Sequence, residues 1–136
     1  MTVHTSLMPA RVALSPNDSL WLNMDTPENL MIIESIMWFD EPLELPAVIE
    51  TLRTRLVGRY PVFGWCAETS ESVVGVDHWV EDPEFDLANH VSAHELTGDA
   101  HDGVQHFLES QMSVPLPRDR PLWHCHVLNG PDQSAV

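Results

Sequence analysis

Apolar residues recur every three or four positions in two parts of the chain, and both patterns predict amphipathic helices. The first runs from Leu45 to about Val57, has a proline in its first turn, and meets a natural helix end at Gly58. The second runs from His101 to Met112. An amphipathic helix buries its apolar stripe, so we expect the first helix to cover a sheet.

A third helix, from Pro16 to about Met24, is predicted by its start signal. Ser15 is a favourable N-cap residue, Pro16 fits the first helical position, and Asp18 completes a capping box. Residues 1–13 carry no comparable signal, and we expect them to form a disordered terminus.

Strands are predicted between the helices. Met31–Phe39 is rich in β-branched and large apolar residues and is bounded by prolines, which predicts a strand buried on both faces. Tyr60–Gly64 and Ser72–Val80 predict a turn leading into two strands that pair as a hairpin. Phe85–Val91 and Ala93–Leu96 are expected to be short extended or irregular pieces.

The last predicted strand, Leu122–Leu128, alternates its side chains between two faces. One face carries Leu122, His124, His126 and Leu128, and the other carries Trp123, Cys125 and Val127. A turn at Asn129–Asp132 and the opening of a returning strand at Ser134–Val136 follow. A domain ending there would leave a strand edge unpaired. The pattern predicts an α/β fold with a mixed sheet and covering helices.

Composition and charge narrow the classes of partner. The chain has 136 residues, the length of a single domain, and its 21 acidic against 6 basic residues give a net charge of −15. Nucleic acid is therefore excluded as a partner, and an anionic membrane would repel the chain on average. No apolar stretch is long enough for a transmembrane segment. Cys66 and Cys125 lie far apart in sequence, which favours reduced thiols and a cytoplasmic location. Any association with a membrane or lipid-body surface is expected to be peripheral.

The chain has eight histidines, which could bind a metal ion or act in catalysis. His124 and His126 share a strand face while Cys125 lies on the other, and opposed faces make a poor chelate or nucleophile pair. A zinc site would have to recruit further ligands from His78, His90 and His94. The sequence also lacks a glycine-rich phosphate loop, a Gly-x-Ser-x-Gly elbow and a His-Glu-x-x-His motif. We therefore predict no catalytic residue, no metal ligand and no bound cofactor.

Two blocks resemble the bacterial wax ester synthase/diacylglycerol acyltransferase family. Trp79–Val91 is similar to its Trp-x-x-Asp-x-x-Phe-Asp-Leu-x-x-His-Val block, and Pro115–Trp123 to its Pro-Leu-Asp-Arg-x-Arg-Pro-Leu-Trp segment. Leu14–Leu22 resembles the family's opening Leu-Ser-x-x-Asp-x-x-Phe-Leu. The matching positions, expected to be structural, are Ser15, Asp18, Phe85, Asp86, His90, Arg118, Arg120, Pro121, Leu122 and Trp123.

The resemblance implies that residues 14–136 are an incomplete N-terminal half of the two-domain fold of chloramphenicol acetyltransferase. In such enzymes acyl-CoA and diacylglycerol or a long-chain alcohol meet between the domains. The second histidine of a His-His-x-x-x-Asp-Gly motif is the general base. No such motif occurs before Val136.

These implications give three functional hypotheses. The first is the N-terminal part of an acyl-CoA-dependent O-acyltransferase of storage-lipid synthesis, inactive alone. The second is a non-catalytic partner that completes a separately encoded half by strand pairing. The third is a histidine-rich metal-binding module. Two departures from the family pattern, Pro117 in place of Asp and Met31–Glu34 in place of Met-His-x-Gly, predict local differences in geometry and acceptor fit.

Overall fold

Seven short strands and three α-helices make up the part of the chain that the computed structural model describes, residues 8–136. The strands are β1 (Arg11–Ala13), β2 (Trp38–Phe39), β3 (Trp65–Glu68), β4 (His78–Glu81), β5 (Val91–Glu95), β6 (Cys125–Asn129) and β7 (Ser134–Ala135). The α-helices are α1 (Pro16–Met24), α2 (Leu45–Leu52) and α3 (Ala100–Gln111). Pro61–Gly64 and Leu87–His90 form single 3₁₀ turns, and Arg53–Val57 continues α2 as a π-helical turn.

The larger sheet has the strand order β2-β7-β6-β5. Strands β5 and β6 are parallel, in register from Val91 opposite Cys125 to Glu95 opposite Asn129. Parallel neighbours need a crossover connection, and α3 supplies it here. The other two pairings are antiparallel. The sheet is therefore mixed, as predicted.

Helices cover both faces of the larger sheet. On one face, Leu87, Val91 and Val127 form a buried cluster against α2. On the other, Val104 of α3 packs against Leu128 and Ala135. Consecutive residues Val127 and Leu128 thus enter opposite clusters, which confirms the predicted alternation along β6. We call these surfaces the α2 face and the α3 face.

The smaller sheet has the order β1-β4-β3 and is wholly antiparallel. Strands β3 and β4 form a hairpin, as predicted, but of the predicted strand Ser72–Val80 only His78–Val80 is extended, and the first strand is Trp65–Glu68. β1 pairs with β4 from Arg11 opposite Val80 to Ala13 opposite His78. The prediction that residues 1–13 are disordered is therefore wrong for Arg11–Ala13, because β4 offers a free edge that the local sequence does not reveal. Residues 1–7 lie outside the described residues.

The predicted helices are confirmed. α1 has the predicted ends, and the Ser15 Oγ accepts a hydrogen bond from the Asp18 backbone N at 3.1 Å. Helix α2 and its π-helical turn together span the predicted Leu45–Val57, with Gly58 as the C-cap. Each helix has an N-cap residue, an apolar stripe or a C-cap glycine within its own sequence. Local sequence was therefore enough to predict it.

The predicted strand Met31–Phe39 is wrong for most of its length. Only Trp38 and Phe39 form a strand, both exposed, and Ile33 is 86% exposed rather than buried. Their neighbour β7 provides backbone partners only as far as Met37, which exchanges two hydrogen bonds with Val136 at 2.8 and 2.9 Å. Residues 31–36 run past that pairing, and no strand of the described chain lies beside them.

The last strand also starts later than predicted. β6 begins at Cys125 rather than Leu122, since the Trp123 backbone N donates to Pro121 O at 2.9 Å in a tight turn. Beyond it, β7 confirms the predicted returning strand at Ser134.

Candidate functional site

A cleft of about 580 Å³ opens on the α3 face of the larger sheet. Its walls are α1, residues 31–37, α3 and the loop 113–121, and the first part of β6 forms its floor. Most of the lining side chains are apolar, including Leu22, Ile36, Phe107 and Leu122. The cleft is therefore shaped for an apolar ligand rather than a highly charged one.

Imidazole groups provide the main polar feature of the cleft floor. The His124 and His126 rings lie 4.4 Å apart, centroid to centroid, and both line the cleft. Behind them, His94 Nε2 lies 3.2 Å from His126 Nδ1, and Ser92 Oγ lies 2.7 Å from His124 Nε2. In the first pair one nitrogen must donate and the other accept, so at least one of the two rings is neutral.

The surroundings of these rings favour their neutral forms. Burial, followed by the neighbouring His124 and His94, lowers the pKa of His126 to about 4. Burial also lowers the pKa of His124, with smaller contributions from His90, His94 and Arg120. An imidazole with so low a pKa is a weak general base near neutral pH. The floor is thus uncharged and suited to contact with an apolar chain.

The two thiols are not activated. Cys125 packs in the α2-face cluster, on the side of β6 opposite the two histidines, as the alternation predicted. Burial raises its pKa, and burial followed by Asp82 and Asp119 raises the pKa of Cys66. A raised pKa keeps both thiols protonated, and the protonated thiol is a poor nucleophile.

Three of the residues singled out by sequence come together behind the cleft. His90 is 3% exposed, stacks on Trp123 with 4.9 Å between ring centroids, and donates from Nδ1 to Trp123 O at 2.9 Å. The Trp123 indole in turn donates to Phe63 O at 2.7 Å. Phe85 completes the group, 5.2 Å from His90. This packed unit fixes the approach of the chain to β6.

The remaining predicted residues are dispersed. Ser15 caps α1 by accepting from Asp18 N at 3.1 Å, and Asp86 caps the following 3₁₀ turn by accepting from Ala88 N at 3.0 Å. Pro121 is buried, and Leu122 and Asp18 line the cleft. Arg120 forms an exposed ion pair with its neighbour Asp119. The structural roles assigned to these positions stay predictions.

Arg118, which the family resemblance marked only as a structural position, lies at the cleft. Its Nη2 lies 2.6 Å from Asp25 Oδ2, across 93 residues of sequence. Asp25 was missed by the sequence analysis, as was His94 as a neighbour of His126. Both contacts join elements far apart in the chain, and no local pattern marks them.

Two searches over the described residues limit other kinds of site. Among residues 8–136, no three His, Cys, Asp or Glu side chains are placed to hold a metal ion. Within the same range, none of the helices has the length and hydrophobicity needed to span a bilayer.

Comparison with known proteins links the chain to one family. Residues 14–136 match the family model described as the wax ester synthase/diacylglycerol acyltransferase catalytic domain. A probable diacylglycerol O-acyltransferase of Mycobacterium tuberculosis is 24% identical over 131 residues, which are 90% of this chain and 46% of the relative. A putative diacylglycerol O-acyltransferase of the same species is 43% identical over 68 residues, or 46% of this chain and 14% of the relative. The chain thus spans less than half the length of these curated relatives.

Solved structures show the same fold. The wax ester synthase/diacylglycerol acyltransferase from Marinobacter aquaeolei VT8 superimposes with a TM-score of 0.65 at 21% identity, over 91% of this chain and 32% of that one. The starter condensation domain of rhizomide synthetase gives 0.61 at 18% identity, over 93% of this chain and 31% of that one. These likenesses confirm the predicted fold. The chain covers about a third of each of these neighbours.

Proposed function

Since the chain belongs to the wax ester synthase/diacylglycerol acyltransferase family, we propose that it is the N-terminal part of an acyl-CoA-dependent O-acyltransferase of triacylglycerol or wax ester synthesis. The observation that carries the proposal is the apolar cleft of about 580 Å³ floored by uncharged imidazoles. Its volume falls within the range of small-molecule sites, roughly 300–1,000 Å³. In this proposal the cleft takes the fatty acyl chain of acyl-CoA, and the acceptor is diacylglycerol or a long-chain alcohol.

We propose further that the chain does not transfer acyl groups alone. Deprotonating an acceptor hydroxyl needs a base whose pKa lies near the working pH. Of the two histidines that line the cleft, His126 has a pKa of about 4 and His124 a lowered pKa. Both shifts move an imidazole pKa away from neutral pH, and the sequence has no His-His-x-x-x-Asp-Gly motif.

Binding and turnover separate the two parts of this proposal. Calorimetry should detect palmitoyl-CoA binding to the chain, while added diacylglycerol or hexadecanol should give no ester above background. Leu22→Arg places a charge at the cleft and should abolish binding, whereas Leu20→Arg, on the exposed side of the same helix, should not. Equal affinity in both variants would refute the cleft as the acyl site, and ester formation would refute the inactivity.

A second candidate function rests on residues 31–36, which pair with no strand of the described chain. These residues and Cys125 and His126 of β6 line the same cleft, and within residues 8–136 the stretch Cys125–Val127 pairs with β5 alone. An extended segment could lie between residues 31–36 and this stretch of β6, antiparallel to both, in line with β7. It would complete the sheet. In this role the chain is a non-catalytic partner of a separately encoded half that bears the His-His-x-x-x-Asp-Gly motif.

Reconstitution tests this second function. A separately expressed polypeptide that begins with the missing strand and carries the histidine motif should form a stable complex with the chain and restore ester formation. Replacing Ile36 by proline removes a backbone donor at the pairing edge and should weaken the complex. A chain that stays monomeric in the mixture, with no gain of activity, would contradict the partner role.

We also propose a cytoplasmic location with peripheral association at a membrane or lipid-body surface. The family's lipid substrates support the association, and the free Cys66 and Cys125 support a reducing compartment. Fractionation of cells that express the tagged chain checks it: salt-extractable protein on lipid bodies or membranes is expected, and a protein released only by detergent would contradict it.

A further inference from the structure

Arg118 joins the loop before β6 to the end of α1. Its Nη2 donates to Leu22 O at 3.1 Å and to the Asp25 carboxylate at 2.6 Å, with Asp25 O at 3.4 Å. The two carbonyls belong to the last turn and C-cap of α1, where a cation is favourable because the helix dipole is negative there. The guanidinium is therefore both an ion-pair partner and a helix cap.

Asp25 extends this connection to a third segment. While its Oδ2 receives Arg118, its Oδ1 accepts a hydrogen bond from the Met31 backbone N at 2.7 Å. The Asp25 side chain is 24% exposed and that of Arg118 is 42% exposed, so the pair is partly shielded from water. We call these contacts among Arg118, Asp25 and Met31 the Asp25 clasp.

The clasp lies at the wall of the cleft. Arg118, Asp25 and Met31 all line it, and they belong to the loop 113–121, the end of α1 and the start of residues 31–37. Residues 31–36 lack a strand partner in the described chain, so the hydrogen bond at Met31 is a main restraint on where that segment starts. Loss of the clasp would release one wall without touching the floor.

Arg120 offers an internal comparison. It lies in the same loop, yet its Nε pairs with the adjacent Asp119 at 3.1 Å, and it does not line the cleft. The two arginines have the same charge and lie two residues apart in the same loop. They differ in whether their contacts cross between segments.

We propose that Arg118 is a positioning residue that acts through Asp25 to hold Met31, and thereby sets the cleft wall against which the acyl chain packs. The inference deepens the proposed acyl-binding function and rests on it for the ligand. The clasp itself can be tested without a ligand.

Amide hydrogen exchange reads the clasp directly. In Arg118→Gln the Met31 amide should exchange about tenfold faster, the loss expected for a charge-assisted network, while amides of β6 keep their rates. Arg118→Lys retains the charge on a shorter side chain and should give an intermediate rate. Arg120→Gln should leave Met31 unchanged. A uniform acceleration of all amides in Arg118→Gln, or equal effects of the two arginine variants, would overturn the proposal.

Ligand affinity then tests the consequence. Calorimetry with palmitoyl-CoA should show about fivefold weaker binding to Arg118→Gln and to Asp25→Asn, and little further loss in the double variant. Unchanged affinity in Arg118→Gln, with Met31 released, would overturn the link between clasp and cleft. If the unaltered chain binds no palmitoyl-CoA, the acyl-binding function fails, and the exchange contrast at Met31 alone decides whether the clasp exists.

Discussion

Strand β6 and residues 31–37 are both rich in apolar residues, yet they have opposite fates. In β6, Val127 is completely buried and Leu128 is 4% exposed, between clusters on the two sheet faces. In residues 31–37, Ile33 is 86% exposed and Met37 56% exposed. The difference is in the neighbours: β6 lies between β5 and β7, whereas residues 31–36 have no strand beside them in the described chain.

The comparison shows that strand-forming composition is not enough to make a strand. A β-strand satisfies its backbone groups through another strand, so its formation depends on a partner that can be far away in sequence. Apolar side chains in residues 31–37 then line a cleft instead of a core.

A buried charge gives the sharpest test of this contrast. Val127→Asp should destabilise the chain by more than about 4 kcal/mol, enough to unfold it, because the carboxylate would be desolvated without a partner. Ile33→Asp should change the free energy of unfolding by less than about 0.5 kcal/mol. Urea titration followed by circular dichroism measures both, and a comparable loss in Ile33→Asp would show that residues 31–37 are packed.

The side chain of Asn129 provides hydrogen-bond partners for both backbone groups of Leu43. Its Oδ1 accepts from Leu43 N and its Nδ2 donates to Leu43 O, both at 2.9 Å. Asn129→Ala should cost about 2 kcal/mol, since two half-buried backbone groups lose their partners. Asn129→Asp keeps the acceptor and loses the donor, so an intermediate midpoint in urea is expected. An alanine variant as stable as the original chain would show that water replaces the amide.

Acid should weaken the α3 face specifically. The pKa of His126 is about 4 in the fold against about 6.5 when unfolded, so between these values the unfolded chain binds more protons. Stability contributed by the neutral ring is complete above about pH 6.5 and is lost toward pH 4. Because the ring is only half-buried, we expect a loss of about 1 kcal/mol rather than the full linkage value.

Substitution separates this effect from general acid denaturation. His126→Gln should flatten the dependence of unfolding free energy on pH between about 4 and 6.5, and His106→Gln, on the exposed side of α3, should not. Asp77 and Asp119, whose carboxyl pKa values are lowered by hydrogen bonds from Ser70 and Arg120, contribute only at lower pH. An unchanged slope in His126→Gln would assign the acid effect elsewhere.

An effect of about the same size as that at His126 is expected locally in α1. Ser15→Ala removes the Oγ acceptor for Asp18 N and should cost about 1 kcal/mol. Ser15→Asp retains an acceptor at the same N-cap and should restore the stability. Thermal unfolding of the two variants checks this. If Ser15→Ala lost more unfolding free energy than Asn129→Ala, the contribution of the α1 cap to stability would exceed that of the contact between Asn129 and Leu43.

The parts of the fold that sequence predicted are those with local signals. Ser15 and Asp18 mark the start of α1, Gly58 marks the end of the second helix, and alternation placed Cys125 and His126 on opposite faces of β6. Each depends on residues within a few positions of one another.

The parts that were missed depend on distant residues. The extent of β2 is decided by β7, β1 forms because β4 has a free edge, and Asp25 meets Arg118 across 93 residues. The histidines of the cleft were weighed as metal ligands, whereas His94 and His126 contact each other in neighbouring parallel strands. Such pairings need the topology and cannot be read from spacing.

The pairing of β2 with β7 has a consequence for synthesis. Trp38 leaves the ribosome roughly a hundred residues before Ala135, its partner in the sheet. At about 5–20 residues per second, the first strand of the larger sheet waits about 5–20 seconds for its neighbour to be made. During that interval Trp38 and Phe39 have no sheet partner, and together with the apolar residues before them they are exposed on the nascent chain.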